Sequence, residues 1–309
     1  MSSFLQEVAL QVHGEYGSQL SGLRLICANR RAGLFLRQEL ARFCSGPVFL
    51  PEILSFKDFI LQHSPLQEAD QLLLIHRLYA VFKELGLANE AFDRFYFWGD
   101  MLLRDFDEID KFLVDTRLLF VNLRRLKELD LGLDYLDERQ LTLIRHFWSS
   151  FGEKDARFQE QFLRIWGLLN EAHTRLETSL VADGWAYEGL IYRHFLKDLE
   201  QGKVAIDELD CLFVGFNALN RSEEGIIRWF ITHRKSRMAW DMDAYYVQKP
   251  QHEAGVFFRQ YQQDAVLGPT LPKELPLRLD ETKEMELVAA PTAVAQVKDL
   301  GRQLEKLFA

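Results

Sequence analysis

Two almost uninterrupted apolar runs most constrain the fold of this chain: LRLICA at residues 23–28 and LDCLFVGF at residues 209–216. Each has the length of a strand and is too short to span a membrane. An apolar run without alternation fits a strand buried on both faces, as in a parallel sheet covered by helices. After the first run come Asn29, Arg30 and Arg31, then a helical pattern from Ala32 (AGLFLRQELARF), then a second strand-like run, PVFLPEI at 47–53, stopped by Pro51. Strand, helix and strand at this spacing form a βαβ signal.

Between the two runs the pattern changes. Residues 55–204 carry helical periodicity almost throughout. Ser55 is a candidate cap for FKDFILQ. Leu74, Leu78, Val81, Phe82 and Leu85 recur at helical spacing, as do Leu102, Phe106, Ile109 and Leu113. ERQLTLIRHFWSSF at 138–151 continues the pattern, followed by Phe162, Ile165, Trp166 and Leu169, and Gly202 stops the run. Stripes this wide are the packing faces of a helical bundle.

Strand signals return after residue 205. SEEGIIRWFITHR is a helix with Ser222 as candidate cap, RMAWDMDAYYV is strand-like and HEAGVFFRQYQQ is helical. Residues 268–276 form a Pro-rich loop, and 285–308 read as another strand-to-helix unit, after which the chain stops as a fragment of a longer protein would. At the other end, residues 2–20 read as a helix with Phe4, Leu5, Val8 and Val12 on one face, ended by Gly14 and Gly17. The expected architecture is an α/β parallel sheet built from residues 1–54 and 205–309, with residues 55–204 as a large all-helical insertion.

Composition narrows the function. The 309 residues carry 37 basic and 46 acidic side chains, a formal charge of −9, so the overall field does not favour nucleic acid. Phe is common at 24, which predicts an aromatic core. Cys27, Cys44 and Cys211 are far apart and lack CxxC spacing. Neither a metal finger nor a disulfide framework fits them, and a reducing cytoplasm is the expected home. No signal-length apolar segment opens the chain, and no stretch approaches the ~20 apolar residues of a membrane helix.

Five segments, in order, resemble one family: NRRAGLFLRQEL (29–40), RFYFWGDMLLRDFDEIDKFLVD (94–115), GWAYEGLIYR (184–193), FVGFNALNRSEE (213–224) and HEAGVFFR (252–259). They look like the N-terminal half of AddB-like subunits of bacterial helicase–nucleases, of the Bacteroidetes type usually described as PD-(D/E)xK nuclease family proteins. The resemblance implies a superfamily 1 helicase-like, P-loop-type core with a helical subdomain inserted in it. It implies a nuclease domain further along the parent chain, and a role in DNA repair by recombination. The implied partners are single-stranded or end-opened duplex DNA and an AddA-like active helicase subunit, with no membrane. Magnesium, ATP or an iron–sulfur cluster would belong elsewhere in the parent complex, leaving no cofactor expected in this chain.

The residues for ATP chemistry are missing. The string GxxxxGK[ST], whose amides, lysine and hydroxyl hold phosphates and Mg²⁺, does not occur. Where working relatives carry an acidic pair, the resemblance aligns Gly215 and Phe216, and no Asp-Glu pair lies within 211–220. GEKD at 152–155 has the wrong spacing for a PD-(D/E)xK site. Asp105, Asp107, Glu108 and Asp110 are dense, but Leu102, Phe106 and Ile109 mark the buried face, so the acids read as a solvated surface. His76, His146 and His194 make no HExxH and no i, i+4 pair, which leaves no zinc site. No nucleophile elbow occurs.

The remaining candidate is Asn29, Arg30 and Arg31. A strand-to-helix turn with two arginines can hold phosphates. By resemblance it matches the segment after the second core strand, where helicase relatives touch single-stranded DNA. The alternative is that these arginines pair with nearby acids. DMDAYY at 241–246 offers base stacking or, alternatively, aromatic packing. The expected function is a non-catalytic, helicase-like scaffold that guides single-stranded DNA. The alternatives are an active ATP-binding helicase subunit with an unorthodox site, and a helical protein-interaction module.

Overall fold

The computed structural model describes residues 3–120 and 157–308, apart from 18, 45, 89, 209, 281, 283 and 284, and for 157–166 only the helix path. Its centre is a four-stranded parallel sheet of β1 (Leu23–Cys27), β2 (Glu52–Ser55), β5 (Asp210–Val214) and β6 (Ser236–Ala239), in the order β2-β1-β5-β6. The fold is therefore mixed α/β. The two apolar runs are its central strands and pair directly, Leu25 beside Leu212 and Ile26 beside Phe213.

Both faces of that pair are buried, and the side chains alternate between them as strand geometry requires. Leu23, Leu25, Cys27, Leu212 and Val214 face α1 (Phe4–Tyr16) and α2 (Arg30–Phe43), which contribute Val8, Ala9, Val12, Leu36 and Leu40. Ile26, Cys211 and Phe213 face the opposite core, with Phe56 and Phe59 of α3 (Phe56–His63), Phe195 of α7 (Glu188–Glu200) and Phe230 of α8 (Arg221–His233). The rings meet edge to face: Phe59 and Phe230 lie 5.3 Å apart, and Phe56 and Phe216 lie 5.6 Å apart. Such pairs add about 0.5–1.5 kcal/mol each beyond their burial.

That second core runs on without a break into the helical region. Phe82 of α4 (Gln71–Glu84) packs on Phe95 and Trp98 of α5 (Phe92–Lys111) at 5.5 and 5.1 Å. Gly99 makes room for the Phe95 ring of its own helix, 2.5 Å from where a Cβ would stand, and for Ile75 of α4 at 3.2 Å. α6 (Arg157–Ala182) packs on α4 through its described half, including Leu169, Ala172 and Leu176. A two-residue parallel ladder joins β3 (Gln67–Glu68) to β4 (Trp185–Ala186). Helix and sheet thus share one hydrophobic core.

Several expectations are corrected in detail. β2 begins after Pro51, whereas the sequence placed the strand at 47–53; residues 47–50 form no strand. α1 passes through Gly14 and ends at Gly17, whose φ is +57°. α2 starts at Arg30 because Asn29 caps it. Asn220, not Ser222, caps α8. The 236–247 stretch is β6 followed by the short helix α9 (Ala244–Gln248), then α10 (Val256–Gln262). Residues 285–290 form no strand, and α11 (Ala293–Phe308) has no buried residue. With no strand pairing or helix face to bury them, Leu287 and Val297 stay exposed. The stretches 138–151 and 152–155 lie outside the described residues, as does His146.

Candidate nucleic-acid interface

The sheet changes winding direction between β1 and β5. From β1 the chain moves to β2 on one side, then returns through β5 to β6 on the other. In open α/β sheets, ligands bind outside the carboxyl ends of the strands at such a switch point. Two turns meet here: Ala28–Asn29 after β1, and residues 215–220 after β5.

The first turn is only two residues long. The Asn29 side chain accepts the Ala32 N–H at 2.9 Å and starts α2 at once. The segment follows β1 directly. Arg30 reaches back to α3, where Nε and Nη2 donate to the two Asp58 oxygens at 2.8 and 2.5 Å. The Arg30 hydrogen bond is the main cause that brings the Asp58 carboxyl down to about 2; burial opposes it and the Ser55 hydroxyl assists. Arg30 is nonetheless 82% exposed. Arg31 is exposed and makes no ion pair among the described residues. The sequence alternatives therefore divide: Arg30 is committed to an acid, and Arg31 is held by none of the described ones.

The second turn is apolar. Gly215, at φ +76°, donates its N–H to the Ala239 carbonyl at 2.9 Å. Phe216 is buried against Phe56 and Phe213. At this turn Phe216 extends the core.

Around this edge runs a chain of ion pairs. Lys57 bridges Glu68 at 2.6 Å and Glu188 at 3.0 Å, and Lys111 bridges Glu188 at 3.1 Å and Asp107 at 2.8 Å. It ties the starts of α3 and α7 to the end of α5.

The dense acids on α5 are not one solvated surface. Asp105 and Glu108 are exposed, but Asp110 is completely buried. Its carboxylate accepts from Tyr187 at 2.5 Å and Arg193 at 2.5 Å and faces His173 Nε2 at 3.1 Å. Its backbone carbonyl accepts the Ser222 hydroxyl at 3.1 Å. Burial works against the charge, yet the bonds from His173, Tyr187 and Arg193 hold Asp110 below its usual carboxylate range. The helix turn puts residue 110 on the same face as Leu103 and Phe106, which is why polarity alone misplaced it. Asp107 is half-buried and accepts the Gly189 N–H at 2.6 Å. His173, Tyr187 and Arg193 were not singled out in the sequence. They sit on α6, just before α7, and on α7, and no spacing signal links them to α5.

The other candidates within the described residues are engaged by neighbours in the chain. Tyr245 lies under the Lys249 ammonium at 3.4 Å, and Tyr246 packs against His252 at 4.6 Å, so 241–246 is a packed corner. His194 faces Glu177 at 2.9 Å, and His76 packs on Phe92. Burial pushes the Cys27 thiol up to about 12 and, as the largest cause, Cys211 to about 11, so neither is a ready nucleophile. Among the described residues no group of His, Cys, Asp and Glu gathers as a metal site, and no helix is long and apolar enough to cross a membrane. No protein-family model matches the chain, and no curated protein matches it.

Proposed function

We propose that this chain is a non-catalytic, helicase-like α/β unit that guides a single DNA strand over the carboxyl edge of its sheet. In this reading the sheet is a degenerate P-loop core, residues 55–204 are the helical insertion, and the whole scaffolds an AddA-like helicase in the cytoplasm during recombinational break repair. The observation that carries it is the β1–α2 connection. Two residues, Ala28 and Asn29, leave no room for a loop that wraps phosphates, and they deliver Arg30 and Arg31 to the switch point instead. Phe216 supports the same reading, since it fills with core the space where a metal-holding carboxylate is needed. An arginine in this place contacts phosphate without reading sequence.

Two titrations test it. Calorimetry with Mg-ATP should show no binding heat, and fluorescence anisotropy should show single-stranded DNA binding that weakens steeply with salt. A micromolar dissociation constant for Mg-ATP would overturn the non-catalytic reading in favour of an unorthodox ATPase. No DNA binding at low salt would overturn the guiding role and leave the protein-interaction reading.

A further inference from the structure

α2 differs from the rest of this acidic chain. It carries Arg30, Arg31, Arg37 and Arg42 against one acid, Glu39, in a protein of net charge −9. Its buried face is narrow: Gly33, Leu36 and Leu40. On the opposite side two large apolar residues stand in solvent, Leu34 at 56% and Phe35 at 49% exposure. Arg31 and Phe35 are four residues apart, so their side chains are neighbours on that outer face. Arg30 and Arg42 hold Asp58 and Glu39 but remain largely exposed, and Arg31 and Arg37 make no ion pair among the described residues.

From this interleaving we infer that the outer face of α2 is a stacking platform for unpaired bases, with Phe35 taking a base while Arg31 takes the adjacent phosphate. The inference rests on the proposed DNA-guiding role and sharpens it, because stacking selects single strands over duplex. Charge argues for this occupant. A basic helix on an acidic protein attracts a polyanion, and an exposed ring beside an arginine gives an unpaired base a surface to stack on. A duplex hides its base faces and gains nothing from Phe35. The platform reads no sequence, since every base has a face to stack.

The test uses the whole chain and two probes of equal charge: oligothymidylate, and the same sugar–phosphate chain without bases. Phe35→Ala should weaken oligothymidylate binding about tenfold and leave the abasic chain unchanged. Phe35→Tyr should retain wild-type affinity for both. Arg31→Ala should weaken both probes alike. Phe35 is exposed, so thermal melting should confirm an unchanged fold. If Arg31→Ala weakens binding while Phe35→Ala acts on neither probe, or on both equally, the platform is overturned and the DNA-guiding reading stands. If wild type binds neither probe, both fall. If Phe35→Ala instead changes only the sedimentation coefficient, Leu34 and Phe35 cover a protein contact and the platform is overturned.

Discussion

β1 has an arginine near each end, and the two do opposite things. Arg24 is 4% exposed; it grips Glu52 at 2.6 Å and both oxygens of Asp207 at 2.9 and 2.8 Å. Arg30, just past the other end, also holds a carboxylate with two bonds, but in solvent. A buried arginine must keep its partners, because an unpaired charge inside a protein is costly. An exposed one gains little from its partner and can exchange it for a phosphate. The amino edge of the sheet therefore keeps its arginine buried and paired, and the carboxyl edge presents one that can change partners. The Asp110 cluster belongs with Arg24: it locks α5, α6, α7 and α8 together.

The largest effect to expect is at Asp110. Asp110→Ala leaves Tyr187 and His173 buried beside an unpartnered Arg193 and should cost about 3–5 kcal/mol, read as a lower urea midpoint. A loss no larger than that of an exposed substitution would place the cluster outside the stabilising core. Arg24→Ala should follow at about 2 kcal/mol, less because Glu52 and Asp207 are each partly exposed and can rehydrate.

These two residues also show what the sequence could and could not reveal. The central strands were legible, because an apolar run of that length without alternation fits little except a strand buried on both faces. The described helices α4 and α5 were legible from their stripes. Asp110 was not, because a carboxylate is placed indoors only by partners such as His173, Tyr187 and Arg193, remote in sequence. β2 was displaced by the apolar residues 48–50, which precede Pro51 and stay out of the ladder. Residues 285–290 have a strand's composition but pair with nothing described, and composition does not supply a neighbour. At the turn, Asn29, Arg30 and Arg31 were legible as a group, while the division of labour between Arg30 and Arg31 depends on Asp58, reached only through the β1–β2 pairing.

Acid should separate the two classes more finely. Asp110 and Asp58 both have folded pKa values below their ordinary value of 3.8, Asp58 at about 2. Each therefore adds stability that is complete above pH 3.8 and is lost as pH falls through the folded value. Urea midpoints taken downward from pH 5 should fall, and Asp58→Asn should flatten that fall at least as much as Asp110→Asn. A fall flattened only by Asp110→Asn would mean that Arg30 does not hold the Asp58 charge.

Arg30→Ala should lower the urea midpoint slightly at neutral pH and raise the Asp58 pKa toward 3.8, followed by carbon-detected NMR titration of the carboxyl. An unmoved Asp58 would show that Ser55, not Arg30, sets its charge.

The most direct measurement is the salt dependence of single-stranded DNA binding for wild type and for the double substitution Arg30→Ala, Arg31→Ala, with thermal melting alongside. If the carboxyl edge is the contact surface, the double variant folds as wild type does and binds more weakly on every sequence. Its log–log slope against salt should be shallower by roughly one unit for each phosphate that the variant no longer neutralises. Unchanged affinity and slope in a folded variant, or a variant that unfolds while each folded molecule still binds as before, would contradict the account.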